Sequence, residues 1–521
     1  MNKKLIFLLI SIAAIIFLTS CSNETELSSE NDDYYEDWKM HDEIIKNNRS
    51  IYSNIEKDLE RRAHTIDDPL VIKNPYGLVP LSAIVAFTTD YEASVKITVK
   101  GDTQNDTFTY ESPMDKVHII PIIGLYPSRE NVVEINLMVD DNSVDSNQIT
   151  IATDSLPDEL LDAVSSTYSR EDPVKDFTVV SGGLYRNPYA FDSSGNIRWY
   201  IEVETDPHGY FPLSDDRFAI IAGYSMIDTE TRQYAPYIFE MDFLGRLYKS
   251  YLVEKGAHHE VAEKKPNGNL LVLANSLEGH VEDTIIEIDR NTGEIIKELN
   301  FGDIINDTPY NKAYDWAHIN SLSYNAVDDT MVLSPRDVSS AVKINWSNGD
   351  LIWILSDPAI WADTEYIDYV LKPIGDIIWH YEQHSVFEEK NIDSRQNELN
   401  LFMFDNHVIR NDLVDIEITE DAGRSAVVHY SIDESNKTVR QVRRYPNSLA
   451  FITSNYNLYI ANNRIIANHG SLRESIEDPI TSMWGEIYEY NYSTGELVRS
   501  YWLKYGFYRA YSHDISDVIL K

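Results

Sequence analysis

The stretch Glu287-Ile288-Asp289-Arg290-Asn291-Thr292-Gly293-Glu294-Ile295 is the end of an apolar strand, a tight turn and the start of a second apolar strand. The same arrangement recurs at 190–197, 240–247, 343–351, 429–439 and 489–497. Six such hairpins at spacings of roughly 50 to 60 residues, with one longer gap, are the pattern of blades in a β-propeller. The reading is therefore mainly β, with a six-bladed propeller over 165–521. The long gap between Gly349 and Asn436 holds Gln383-His384 and the run from Asn400 to Asn406. An insertion there lies on a loop over one face, where such folds carry their sites.

Upstream, over 69–155, short alternating runs such as Ala93-Ser94-Val95-Lys96-Ile97-Thr98-Val99 describe a small β-sandwich. A short linker helix is expected at 159–164. Within 21–68, residues 22–34 are polar and acidic and read as a tether. Trp38, Ile44, Ile45, Ile51, Ile55 and Leu59 then fall mostly at helical spacing, which predicts one or two helices over 36–63. Residues 1–20 carry Lys3 and Lys4, an apolar core over 5–18 and Leu18-Thr19-Ser20 before Cys21, the form of a lipoprotein export signal. Cys21, the only cysteine, is the expected lipidation site and leaves no partner for a disulfide. The expected location is the cell membrane, lipid-anchored and facing outside the cytoplasm.

The chain has 85 acidic and 44 basic residues, a formal charge of −41, and no Lys/Arg cluster long enough to follow a phosphate backbone. Nucleic acid is excluded as a partner. An anionic substrate would need a pocket that overcomes this field locally.

Four polar groups could supply such a pocket: His258-His259-Glu260; His318 and Asn320 within Tyr314-Asp315-Trp316-Ala317-His318-Ile319-Asn320-Ser321; Arg336; and Gln383-His384. In a propeller the innermost strand of each blade projects towards one axial opening, so spacings of about 60 between His259, His318 and His384 bring them together. Imidazole, amide and guanidinium donors could surround a tetrahedral oxyanion, sulfate or phosphate, while one imidazole acts as nucleophile. Each residue also has a plain structural reading: Arg336 as a salt bridge between blades, Asn320 as a turn residue. Histidines converging on a channel could also bind zinc or copper. There is no His-Glu-x-x-His motif, Arg336 would repel a dication, and no phosphate-cradling Gly-rich loop is present. Neither metal nor cofactor is expected. Tyr314, Trp316, Trp379 and Tyr381 are candidates to stack on an aromatic substrate or to fill the blade core.

The stretch from Asp315 to Arg336, with His258-His259-Glu260 and Gln383-His384, resembles the bacterial arylsulfate sulfotransferases, which work without a nucleotide sulfate donor. Asn74-Pro75-Tyr76-Gly77 through Ile123-Gly124-Leu125-Tyr126-Pro127 resembles that family's amino-terminal β domain. The resemblance implies a ping-pong transfer from an aryl sulfate to a phenol through sulfated His384. His318 and Asn320 would hold sulfuryl oxygens, Arg336 would neutralise them, and His258 or His259, with His259 preferred, would protonate the phenolic oxygen. It also suggests a homodimer, and a disulfide near the site that this chain cannot form. The competing reading is a propeller that binds a ligand or partner without turnover.

Overall fold

The hairpin at 287–295 joins strand Thr284–Ile288 to strand Ile295–Asn300 in the computed structural model. Asp289 Oδ1 closes its turn by accepting from the backbone N–H of Asn291 (2.8 Å) and Thr292 (3.1 Å). The other five repeats do the same with an Asp or Asn at the matching place: Asp192, Asp242, Asn345, Asp433 and Asn491. Such side chains mimic a backbone turn and so fix where each strand stops. Gly293 supplies the left-handed residue (φ 81°), and in the fifth repeat Lys437 (φ 52°) takes that conformation without glycine.

The structure describes residues 31–519 apart from 172–176, 182, 184–186, 204, 207, 223–226, 229–232, 277–279, 307–313, 391–397, 409–424, 447–449, 453–455, 460–461 and 473–481. The expected export signal and Cys21 lie outside the described residues. Of residues 1–42 the described part opens a single helix, Asn31–Arg61; residues 43–521 form one unit, described below. No described helix is long and apolar enough to cross a membrane.

Among the described residues the six hairpins belong to six antiparallel meanders, of which the second and third share a strand and the fifth and sixth carry extra edge strands. The first sheet is Ile197–Tyr200, Tyr189–Phe191, Phe177–Ser181 and, from the far end of the chain, Arg509–His513. The long strand Leu247–Lys264 serves two sheets. Its first half pairs with Gln233–Asp242, and from Ala257 it pairs with Asn269–Ala274. The fourth sheet runs Ile319–Asn325, Thr330–Pro335, Ala341–Asn345, Leu351–Leu355. The fifth runs His384–Glu389, Glu398–Asp405, Ala426–Asp433, Thr438–Pro446, and the sixth is built on Arg464–Leu472, Trp484–Asn491 and Leu497–Leu503.

Side chains alternate across each strand, and here both sides are dry. Leu333 and Val342 of the fourth sheet pack on Leu271, Leu273 and Ile285 of the third. Their neighbours Val332 and Ala341 point the other way, onto Leu401, Met403 and Val428 of the fifth. Phe402, Phe404 and Val427 of the fifth then meet Ile465 and Ala467 of the sixth. Each large apolar side chain so buried contributes about 1.5–3 kcal/mol. Burial on both faces explains why these strands read as nearly unbroken apolar runs.

Strand Ala83–Val99 organises the amino-terminal domain, pairing with Leu70–Lys73 and Asp115–Ile122 along its first part and with Phe108–Glu111 and Glu130–Val139 along its second. Arg198, wholly buried, fastens this domain to the first sheet. It donates to the carbonyls of Gly124 (2.8 Å) and Asp106 (2.9 Å) and pairs with Asp192 (2.8 Å). The expected helix at 159–164 is not formed. One 3-10 turn, Asp158–Leu160, gives way to strand Val164–Ser169, which pairs with Leu497–Leu503. A lone helical turn has few bonds to offset its ordering cost, whereas an open strand edge offers a full ladder.

Arg198→Ala strands the buried Asp192 carboxylate and is expected to cost about 3–5 kcal/mol in urea unfolding, with partial recovery on adding Asp192→Asn. A loss below about 1 kcal/mol would contradict the fastening role.

Candidate active site

The innermost strands of the third, fourth and fifth sheets begin at His258-His259, Ile319 and His384, each with a bulge at its first residues. A bulge turns a side chain out of the ladder towards the sheet end. His259 (φ 51°), His318 (φ 49°) and Ser385 (φ 52°) take the left-handed conformation there, and so does Glu282 (φ 55°). Such non-glycine outliers cost on the order of 1–3 kcal/mol each and cluster at functional sites.

Glu282 is the hub, although no sequence motif marks it. Its Oε2 lies 2.6 Å from His318 Nδ1 and 3.7 Å from His259 Nδ1, and Oε1 accepts from Tyr234 Oη at 2.9 Å. Asp315 Oδ2 also meets His318 Nδ1, at 2.7 Å. Burial and the Arg336 charge oppose a proton on His318, but Glu282 and Asp315 outweigh them and raise its pKa above 6.5. His318 is thus the imidazolium of the site. Glu282 is held well below the usual carboxylate range: burial opposes its charge, and the charge and hydrogen bond of His318 more than compensate.

His258, His259 and His384 are neutral, burial lowering the pKa of each. His258 Nε2 donates to the Ala274 carbonyl (3.0 Å), so its Nδ1 carries a lone pair and accepts from His259 Nδ1 at 2.9 Å. Both ring nitrogens of His258 are used, and the doublet presents only Nε2 of His259 outward. Burial, then the neighbouring His208 charge, pushes the His259 pKa well below 6.5. His384 Nδ1 faces two acceptors, Asn406 Oδ1 (2.8 Å) and the Glu382 carbonyl (3.2 Å). Its proton therefore sits on Nδ1 and its lone pair on Nε2. Burial, Arg336 and His318 together hold its pKa well below 6.5. Arg336 is paired with Asp337 (2.6 Å) and keeps a quarter of its side chain exposed. Burial works against its charge, and Asp337 restores it.

Asn320 is wholly buried and donates one amide N–H to the Gln383 carbonyl (2.9 Å), tying the fourth inner strand to the fifth. Trp316 and Tyr381, weighed as substrate stackers, fill the core cluster between sheets, and Tyr381 Oη donates to Asp357 at 2.9 Å. The aromatic ring among the histidines is Tyr508, 5.1 Å from His208, 5.8 Å from His259 and 6.1 Å from His384 between ring centroids. The sequence reading missed Glu282, Asp315, Tyr508 and His208. Only His208 carried a signal, being about one repeat before His259.

A family model described as arylsulfotransferase (ASST) matches residues 163–509. The chain belongs to the arylsulfotransferase family. That family's Ig-like domain matches 70–154, so the amino-terminal sheets form its Ig-like domain. Among similar proteins are the arylsulfate sulfotransferase AssT of Escherichia coli O6:H1 (strain CFT073), 23% identical over 82% of this chain and 88% of that one, and AssT of Lelliottia amnigena, 22% identical over 72% and 79%. Among solved structures, a protein titled a putative 6-phosphogluconolactonase from Bacteroides fragilis aligns with 82% of this chain and 99% of its own at 11% identity, with a TM-score of 0.35.

Among the described residues two overlapping sets could hold a divalent ion: His258, His259 and Glu282, or Glu282, Asp315 and His318, each with ligand atoms within 4.8 Å. Their donor chemistry suits a proton network better. Both His258 nitrogens are engaged, and Arg336 acts electrostatically on His318 and His384.

In imidazole-resolved NMR titrations His318 is expected to keep its proton above pH 6.5, while His259 and His384 stay neutral to well below it. Glu282→Gln should lower the His318 midpoint. The stability His318 contributes is present below pH 6.5 and is lost as pH rises through its raised folded pKa, so Glu282→Gln should flatten that alkaline loss.

Proposed function

We propose that the protein is an aryl-sulfate sulfotransferase that moves a sulfuryl group from a phenolic sulfate ester to a phenol by a ping-pong route through His384, without a nucleotide donor. The observation that carries this reading is the His384 tautomer. Its Nδ1 proton is committed to Asn406 and the Glu382 carbonyl, which leaves the Nε2 lone pair as nucleophile beside the Arg336 and His318 charges.

The chemistry follows from where charge gathers. Three sulfuryl oxygens share negative charge throughout transfer, so positioning and electrostatics dominate, as in phosphoryl transfer. The imidazolium of His318 and the guanidinium of Arg336 meet those oxygens, and the second amide N–H of Asn320 adds a donor. A nucleophile whose basicity is depressed by the same cations also releases the sulfuryl group readily in the second half-reaction. Glu282 and Asp315 favour the charged form of His318.

The six meanders support a six-bladed propeller over 165–521. Successive sheets pack face to face, the last strand closes on the first sheet, and inner-strand residues meet across the middle. The amino-terminal signal and Cys21 support a lipid-anchored protein at the cell membrane, facing outside the cytoplasm, that acts on small phenols and aryl sulfates. A homodimer belongs to the same reading.

The test is acceptor-dependent release of 4-nitrophenol from 4-nitrophenyl sulfate. The protein from Ser22 onward should catalyse it, and His384→Ala should lower it ~10³-fold or more. No release with any of several phenols, from folded protein, would sink the proposal. The pH profile of kcat/KM should fall on the alkaline side, above pH 6.5, as His318 loses its proton, and fall in acid only well below pH 6.5.

A further inference from the structure

Transfer between phenols needs a proton given to the departing aryl oxygen and taken from the incoming one. The histidines described above are poorly placed to exchange it. His258 is wholly buried, with both nitrogens engaged. His259 is held neutral, and its Nδ1 proton is donated to His258. His318 directs its charge at the sulfuryl oxygens.

A fifth imidazole stands beside them. His208 precedes inner strand Tyr210–Pro212 of the second sheet, as His259, His318 and His384 mark the starts of theirs. Asp206 holds it twice, accepting from the His208 backbone N–H (2.9 Å) and from ring Nδ1. Asp206 is itself fixed to the sheet, its N–H donating to the Ile221 carbonyl (2.8 Å) and its carbonyl accepting from Gly209 N–H (3.1 Å). A buried carboxylate on Nδ1 orients the ring and engages that nitrogen, so the nitrogen left to exchange a proton is Nε2. That atom has no partner among the described residues.

Position completes the case. The His208 ring lies over His259, centroids 3.8 Å apart at 33°, and meets the Tyr508 ring edge-on at 5.1 Å. Tyr508 in turn faces His384, so His208 and His384 flank one aromatic ring. The His208 side chain is 16% exposed, against 4% for His259 and 5% for His318. It is thus the most exposed of these three imidazoles.

We propose that His208, oriented by Asp206, is a catalytic residue that exchanges a proton with the aryl oxygen of donor and acceptor. The assignment rests on the sulfotransfer reading above. In the first half-reaction the bond from sulfur to aryl oxygen breaks as the bond from His384 Nε2 to sulfur forms. The aryl oxygen takes the Nε2 proton of the His208 imidazolium, leaving a neutral ring on Asp206. In the second, the acceptor phenol returns a proton to His208 Nε2 as its oxygen bonds to sulfur and the sulfur–nitrogen bond breaks. The net change is sulfuryl transfer alone.

The test compares two donors, 4-nitrophenyl sulfate, whose phenolate leaves without a proton, and phenyl sulfate, whose phenolate needs one. His208→Gln and Asp206→Asn in the chain from Ser22 onward should lose about 10²-fold or more in kcat/KM with phenyl sulfate but under about tenfold with 4-nitrophenyl sulfate. A merely structural role would slow both donors equally. Equal losses, no loss, or donor-dependent loss in His259→Gln but in neither of these variants would overturn the assignment. If the unsubstituted protein turns over neither donor, the sulfotransfer reading falls and this assignment with it. Turnover by the unsubstituted protein with uniform losses in the variants sinks the His208 role alone.

Discussion

The guanidinium of Arg509 lies wholly out of water, 2.8 Å from the Glu260 carboxylate and 3.4 Å from the Asn320 carbonyl. Burial raises the Glu260 pKa and opposes charge on Arg509, and each partner restores the other's charge. A buried pair of this kind adds little net stability but is costly to break, so it acts as a register pin. What it registers are the inner strands of the first, third and fourth sheets. Tyr508, His259 and His318 each lie within two residues of a group in this contact. The geometry of the proposed site is therefore inherited from a contact that touches no substrate.

The acidic excess of the chain and the needs of an anion site are reconciled locally. Two carboxylates, Glu282 and Asp315, are spent on one imidazole, and the resulting His318 charge, with Arg336, depresses proton affinity at His384. Histidines of like chemistry, all in one cluster, are thereby given different protonation states. Strained backbone at His259, Glu282 and His318 holds these groups where sheet geometry alone would not.

Much of this was legible in the sequence. The six hairpins were found because turn chemistry and strand apolarity are local, and the histidines at 259, 318 and 384 because a repeat converts distance along the chain into adjacency. Glu282 and Asp315 were not legible, since a carboxylate in a loop of an acidic chain looks like any other. Asp206-x-His208 was passed over because its one signal, a place about one repeat before His259, came with no motif. Trp316 and Tyr381 take the second of the two roles weighed for them: aromatic residues near a site in sequence can point into the core. The linker helix failed because pairing with a strand more than 300 residues away cannot be read locally.

That distant pairing sets a condition on synthesis. Strand Phe177–Ser181 waits for Arg509–His513, and Val164–Ser169 waits for Leu497–Leu503, so two sheets stay incomplete until residues 497–513 have been made. A nascent chain released early would expose unpaired strand edges and lack both Tyr508 and Arg509. Assembly of the candidate site is thus all-or-none with respect to residues 497–513, and chains stopped before them are material for proteolysis rather than partly assembled sites.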